Sequence, residues 1–244
     1  MGTAVILQEL QTLNCALHTT REINAWLKDA ARQAALDGSS PEVVLQNPDS
    51  RHNLAVGLMT PLRIRIDGPV GYYCAGLCDG IEMLINGGCG WGLAENLMGG
   101  TVHLKGSAGS AAGATMRGGL IVIEGDAGAR CGAAMKGGTL VVHGDVGFMT
   151  GFMMQKGTMI IGGDAGEALG DSLYEGKIYL RGNAENLGSD AVQVDMTEDD
   201  ATMLQRVLVQ AKFDAKPADF KKIESGKRLY NFDTKEKEIW KNAM

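Results

Sequence analysis

One glycine recurs every nineteen residues through half of this chain, without an insertion or a deletion. The recurring positions are Gly68, Gly87, Gly106, Gly125, Gly144, Gly163 and Gly182. A second glycine follows three residues later in six of these units, and 31 of the 35 glycines lie between positions 68 and 188, so the repeat accounts for the high glycine content. Self-similarity at a fixed period indicates a repeat architecture, in which each unit packs mainly against its neighbours.

Each unit also carries one short segment with alternating apolar residues, such as TVHLK at 101–105 and KIYLR at 177–181. A period of two with many β-branched residues is typical of a strand with one buried face. One such strand cannot bury its apolar face alone, whereas stacked units can. The repeat therefore predicts an all-β solenoid, a parallel β-helix of about seven 19-residue rungs. The usual crossover preference, together with the resemblance described below, makes the expected helix right-handed.

Both flanks of the repeat predict helices. Thr19 with Glu22 three residues later forms a capping box, which predicts a helix over 19–36, and a second amphipathic pattern covers 197–211. Residues 212–244 resemble an extended arm with a short terminal helix. We therefore divide the chain into an N-terminal helical and extended cap (1–62), the β-helix (63–189), and a C-terminal helix with an extended arm (190–244).

Composition excludes several classes of function. A net charge of −6 argues against a nucleic-acid surface. No apolar run approaches the roughly 20 residues that a membrane-spanning helix needs, and the N-terminus does not resemble a secretory signal. The five cysteines, an odd number, fit a reducing compartment better than a disulfide framework. The expected location is therefore cytoplasmic.

The polar residues of the repeat suggest little chemistry of their own. Asp126, Asp145 and Asp164 share one repeat position, where calcium binding is possible but turn capping is the better interpretation. His103 and His143 have no obvious serine or cysteine nucleophile beside them. The cysteines replace small or apolar residues at repeat positions and show no zinc-type spacing. We expect no catalytic, cofactor-binding or metal-binding residue in this chain.

The predicted strands are apolar on both faces, because their outward central positions include Leu84, Val122 and Ile160. Strands of this kind are covered on both sides, here either by the terminal helices or by a partner. Several large side chains at corner or outward positions could equally pack against the termini or anchor a partner. These candidate interface residues are Tyr72, Tyr73, Trp91, His103, Phe148, Phe152 and Tyr179.

The units GSAGSAAG, GDAGARCG, GDVGFMTG and GDAGEALG resemble the GxxGxxxG repeat in the C-terminal β-helix of the glutamate synthase large subunit. The resemblance covers 68–189 strongly and the flank NPDSRHNLAVGL (47–58) more loosely. The same module occurs in the C subunit of formylmethanofuran dehydrogenase. The length and the KRLYNFD segment look most like the B subunits of methylamine–glutamate N-methyltransferases, also called N-methylglutamate synthases.

This resemblance implies a non-catalytic scaffold in a complex that forms N-methyl-L-glutamate from methylamine and L-glutamate. The implied partners are a class II glutamine amidotransferase-like subunit and a glutamate synthase-like subunit that carries FMN and an iron–sulfur cluster. Only the complex would be an enzyme, and this chain would hold no cofactor. The alternatives are a scaffold subunit of formylmethanofuran dehydrogenase, or a stand-alone carbohydrate-active β-helix with a surface groove beside His103 and Tyr179.

Overall fold

The chain forms a β-solenoid of about seven rungs, as the repeat predicted. A computed structural model describes residues 11–39 and 41–229. In these residues one mostly parallel sheet contains the strands β1 (Gln11–Asn14), β2 (Glu42–Gln46), β3 (Arg63–Asp67), β4 (Ile81–Ile85), β5 (Gly100–Leu104), β6 (Leu120–Ile123), β7 (Lys136–Val142), β8 (Lys156–Ile161), β9 (Lys177–Leu180), β10 (Ala191–Val194) and β11 (Lys221–Ser225). The helices are α1 (Thr20–Asp37), α2 (Glu198–Gln210) and two short 3₁₀ helices, Cys15–Leu17 and Pro217–Asp219.

The register of the sheet follows the nineteen-residue period. Ile64 pairs with Met83, and Met83 pairs with Val102, so equivalent residues of successive units lie side by side. The ladder also extends beyond the repeat, because β1 pairs in parallel with β2 and β2 with β3. Val43 pairs with Ile64, an offset of 21 residues. The N-terminal region thus supplies two further parallel strands, which the nineteen-residue period does not predict.

The interior of the solenoid is filled by columns of equivalent side chains. One wall contributes an apolar column that is completely buried: Cys78, Leu97, Met116, Met135, Met154 and Leu173. At a neighbouring corner, small residues form consecutive parallel bridges from Val70 through Cys89 and Ala108 to Ala184. Both columns follow the nineteen-residue period, and stacking of equivalent residues buries them within the solenoid.

The repeat glycines are required because neighbouring rungs approach closely there. A Cβ atom on Gly106 would lie 2.9 Å from the carbonyl oxygen of Gly87, and one on Gly128 would lie 2.8 Å from the backbone nitrogen of Ser110. Positive φ is needed at a different position of the unit, for example at Gly132, where φ is 63°. Some glycines meet only one of these constraints, whereas Gly119 meets both, because its φ is 80° and a Cβ there would lie 2.6 Å from the Gly100 carbonyl oxygen.

Both predicted helices are present. Thr19 caps α1 through a complete capping box with Glu22, and the helix ends at Gly38, which has φ of 70°. Thr197 caps α2 in the same way, with Asp200 as the reciprocal partner. The inner face of α1 packs against the solenoid core through Ile23, Leu27, Ala30 and Ala31.

The C-terminal residues cover part of the outer sheet face, and we call α2 together with residues 211–225 the C-terminal cover. Leu204, Val207, Leu208, Ala211 and Phe220 of the cover pack against outward residues of β6–β9: Leu120, Val122, Val141, Ile160 and Tyr179. Strand β11 pairs antiparallel with both β9 and β10. The arm expected after 212 is therefore packed as far as Ser225, because its apolar residues have an apolar sheet face to cover. The predicted terminal helix lies outside the described residues.

Candidate functional site

Three of the predicted interface residues lie together on an exposed corner of the first two rungs. Tyr72, Tyr73 and Trp91 are 42%, 45% and 55% exposed. The ring of Tyr72 is stacked between those of His52, at 4.4 Å, and Trp91, at 5.5 Å. Leu77, which is 52% exposed, belongs to the same first rung. We call Tyr72, Tyr73, Leu77 and Trp91 the N-terminal ridge.

The local sequence explains how the Tyr72 and Trp91 rings pack against the next rung. Tyr72 and Trp91 each stand four residues after a repeat glycine, and the next rung presents a glycine beneath each ring. A Cβ atom on Gly109 would lie 2.6 Å from Cδ1 of Trp91, and Tyr72 occupies the corresponding space at Gly90. Packing within the chain therefore covers both faces of the Tyr72 ring and part of Trp91, while the rest of each side chain stays in solvent and could contact another protein.

A second apolar ridge lies three rungs further along the solenoid. Phe148 and Met153 are exposed, and Met149 and Phe152 are half-buried. Phe148 occupies the same repeat position as Trp91. Since adjacent strands are about 4.8 Å apart, three rungs separate the two residues by roughly 14 Å. We call Phe148, Met149, Phe152 and Met153 the C-terminal ridge.

His103 lies on the sheet face and not on the corner with the aromatic residues. Its Nε2 is 2.7 Å from Oε1 of Glu124, and Nζ of Lys105 is 3.2 Å from the same oxygen. Burial alone would raise the pKa of Glu124, but hydrogen bonds from Lys105 and His103 lower it below its ordinary value. Among the residues that the structure describes, these partners form a charge network without a hydroxyl or thiol nucleophile.

Tyr179 is completely buried beneath the C-terminal cover and so is not accessible to a partner. Its hydroxyl donates a 2.7 Å hydrogen bond to Oδ1 of Asp200. Oδ2 of Asp200 accepts from Lys222 Nζ at 2.8 Å and from the Thr197 hydroxyl at 2.7 Å. Tyr179 therefore cannot line a surface groove together with His103, because the C-terminal cover packs on it.

Hydrogen bonds outweigh burial in setting the pKa of Asp200. Burial on its own would raise the pKa of this carboxyl, yet hydrogen bonds from Lys222, Tyr179 and Thr197 hold it well below its usual range. Burial and the adjacent Asp200 carboxylate together raise the pKa of Tyr179. These groups thus keep fixed charge states near neutral pH, and their arrangement attaches α2 and β11 to the end of the sheet.

The aspartate column links successive rungs, whereas the sequence favoured capping of each aspartate's own turn. The backbone N–H of Asp145 donates to Oδ1 of Asp126 at 2.9 Å, and that of Asp164 donates to Oδ1 of Asp145 at 2.7 Å. Beside this column an open groove of about 710 Å³ is lined by several acidic residues, Glu167 and Glu185 among them. Across residues 11–39 and 41–229, no group of three or more His, Cys, Asp or Glu side chains is placed to hold a metal ion.

All five cysteines are buried and unpaired. Burial raises the pKa of Cys131 to about 12 and that of Cys74 well above its ordinary value. The thiolate is the reactive form of cysteine, so these side chains behave as core residues and not as nucleophiles.

Comparisons with known proteins add no assignment. No protein-family model matches the chain, and no curated protein matches it. Neither of the described helices is long and apolar enough to cross a membrane.

Sequence reasoning missed several residues near the ridges and the C-terminal cover. Leu77 and Met153 share one repeat position, so a survey of that column would have found both. His52 precedes the repeat, and only the structure brings it onto the Tyr72 ring. Asp200 pairs with Lys222, 22 residues later and outside the repeat, so no periodic pattern predicts the contact. The only sequence feature that pointed to Asp200 was its position in the first turn of α2.

Proposed function

We propose that this chain is the non-catalytic scaffold subunit of a glutamate-synthase-like complex of the methylamine–glutamate N-methyltransferase type. Its role is to hold an amidotransferase-like subunit and a subunit with FMN and an iron–sulfur cluster at a fixed separation. The glycine repeat carries the resemblance to that family. The enzyme in this proposal is the whole complex, which forms N-methyl-L-glutamate from methylamine and L-glutamate in the cytoplasm.

The observation that supports a spacer role best is the uninterrupted parallel ladder from β1 to β9. Eight strand spacings of about 4.8 Å give a stack of roughly 38 Å. Hydrogen bonds connect successive rungs on the other walls as well, for example from Gly113 N to the Leu93 carbonyl at 2.8 Å. A stack with hydrogen bonds between rungs on every wall resists bending, so two proteins that dock along it stay at a constant distance from each other.

A second observation also supports the scaffold role: the interior is closely packed, whereas the two ridges are apolar and exposed. Exposed apolar patches on a folded protein often mark interaction sites. The ridges lie on the corner away from the C-terminal cover's apolar cluster, so the chain's own cover packs elsewhere. A chain with buried thiols and a charge network without a nucleophile contributes surface and rigidity to a complex, and its partners contribute the chemistry.

The test is to purify the chain from its native host under mild conditions and to compare it with the recombinant chain alone. We expect the native sample to contain two larger subunits, flavin absorbance and formation of N-methylglutamate from methylamine and glutamate. The isolated chain should show no turnover. Turnover by the chain alone, or migration of the native chain as a monomer, would contradict the proposal. A pterin-containing partner would identify the formylmethanofuran dehydrogenase type of complex instead.

A further inference from the structure

We propose that the surface between the two ridges binds an amphipathic α-helix of a partner subunit, with an acidic residue of that helix facing Arg130. This inference rests on the proposed scaffold function and specifies where and how one partner docks. We call this surface the saddle. Its floor consists of the half-buried or exposed residues Ser110, Ala111, Ala129, Arg130 and Ala134.

The backbone of the saddle floor is already bonded between rungs. Gly92 N donates to the Ser110 carbonyl, Ala111 N to the Ala129 carbonyl and Arg130 N to the Phe148 carbonyl, at 2.8–2.9 Å. Addition of a partner strand needs a free row of N–H and C=O groups, which only a sheet edge provides. A partner must therefore contact the saddle through side chains.

A helix satisfies its own backbone hydrogen bonds, whereas an extended segment that covers this floor would find no free backbone partners on it. The dimensions also suit a helix. The ridges are roughly 14 Å apart at Trp91 and Phe148, and a helix with its side chains is about 10–12 Å across. Because the floor side chains are mostly small, a helix lying across the solenoid could contact the floor and both ridges together.

Arg130 determines the charge of the partner. It is exposed, and it forms no ion pair or hydrogen bond through its side chain with any residue in 11–39 or 41–229. Covering an unpaired guanidinium with an apolar surface is costly, so a partner that covers the saddle must supply an acceptor, and a carboxylate is the best geometric match. A second copy of this chain related by an axis through Arg130 is disfavoured, since it would bring two guanidinium groups together.

The acidic groove beyond Phe148 limits where the partner's acid can lie. Asp145, Asp164, Glu167 and Glu185 line that side, so additional carboxylates on the partner would be repelled there. The best-fitting helix therefore has an apolar stripe that contacts the two ridges and one acidic residue that faces Arg130. Its residues next to the acidic groove are neutral or basic.

The experiment places a photo-activated cross-linking amino acid at Ala111 in the complex from the native host. A control position is Arg117, which is exposed and lies six residues after Ala111 in the chain. We expect the Ala111 probe to cross-link to one segment of one partner subunit, with apolar residues at helical spacing and an acidic residue among them. Hydrogen exchange of the complex should show helical protection of that segment, and the Arg117 probe should not reach it.

Variants then test the contacts. Trp91→Ala, Leu77→Glu and Arg130→Glu should each weaken binding of the partner by roughly 30-fold, as expected for central interface residues. Leu77 and Arg130 are exposed, so their variants should keep the thermal stability of the parent chain. Replacing the partner's acidic residue by Arg should restore binding to Arg130→Glu, which a merely structural role of Arg130 would not produce.

The outcomes separate this inference from the proposed function. If the complex is intact but the Ala111 probe captures nothing, captures an extended segment or captures a second copy of this chain, the helix-docking inference is wrong and the scaffold proposal stands. If the three variants bind as well as the parent, the inference is equally wrong. If the native chain is a monomer, the scaffold proposal itself fails.

Discussion

The solenoid and the C-terminal cover pack on the same sheet but are stabilised in different ways. The solenoid repeats one set of contacts, in which backbone groups bond from rung to rung and glycines allow close approach. The cover is attached by an apolar cluster and by a single buried network around Asp200. Repetition distributes stability over many equivalent contacts, whereas the cover depends on a few side chains that occur once. The two regions should therefore respond differently to substitution.

The largest effect is expected from Gly128→Val within the solenoid. The added Cβ would lie 2.8 Å from the Ser110 backbone nitrogen, so adjacent rungs must separate. Overpacking typically costs about 1–3 kcal/mol and occasionally more, and we expect the upper end or beyond here because the contact is with backbone. We expect insoluble protein or loss of the cooperative unfolding transition, measured by circular dichroism and urea titration. Gly76→Ala is the control, because its Cβ would make only an ordinary 3.5 Å contact, and equal damage from both variants would contradict the argument.

The next largest effect is expected from Asp200→Ala in the cover. This variant leaves the buried ammonium of Lys222 without its closest partner, and breaking a buried ion pair costs about 3–5 kcal/mol. Hydrogen exchange should accelerate in residues 197–225 but remain slow in β4–β7. The double variant Asp200→Ala/Lys222→Met should recover part of the lost stability. Loss of protection throughout the solenoid would show that the cover and the rungs are not separable.

A smaller effect is expected from Asp145→Ala in the aspartate column. The exposed side chain accepts one hydrogen bond, from Asp164 N, so its removal should cost about 0.5–1.5 kcal/mol in the free energy of unfolding. Asp145→Asn keeps a carbonyl acceptor and should remain close to the parent in urea titration. If Asn is as damaging as Ala, the negative charge matters more than the hydrogen bond, and a cation-binding role for the column would need to be reconsidered.

The difference between the regions also determines what sequence can predict. Repetition made the rungs and their strands predictable, because each position is seen several times with the same constraint. The capping box at Thr19 was predicted because it is local, and the box at Thr197, which the structure adds, has the same three-residue spacing. Strand β2, offset by 21 residues, and strand β11, which runs antiparallel, occur once and depend on tertiary contacts.

The candidate site was only partly predictable for the same reason. The exposed aromatic residues could be identified from their corner positions, but the sequence offered both Tyr72 and Tyr179 as candidate interface residues. Their environments differ because α2 covers β6–β9 and leaves the corner of the first rungs open. Which residues a terminal helix covers depends on its length and direction after it leaves the repeat, and the repeat period contains no information about that.

The smallest effect is expected from a change of pH, which tests the contact between the sheet and the C-terminal cover. The His143 ring of the solenoid stacks at 4.3 Å on Phe213 of the cover. Burial lowers the pKa of His143 below its ordinary 6.5, despite the opposing influence of Glu124. The unfolded chain therefore binds the proton more readily, so the stabilising contribution is present above pH 6.5 and is lost as the pH falls below it. Thermal unfolding from pH 8 to 5.5 should show this slope in the parent but less of it in His143→Phe, which keeps the ring contact; an unchanged slope would assign the titration to other groups.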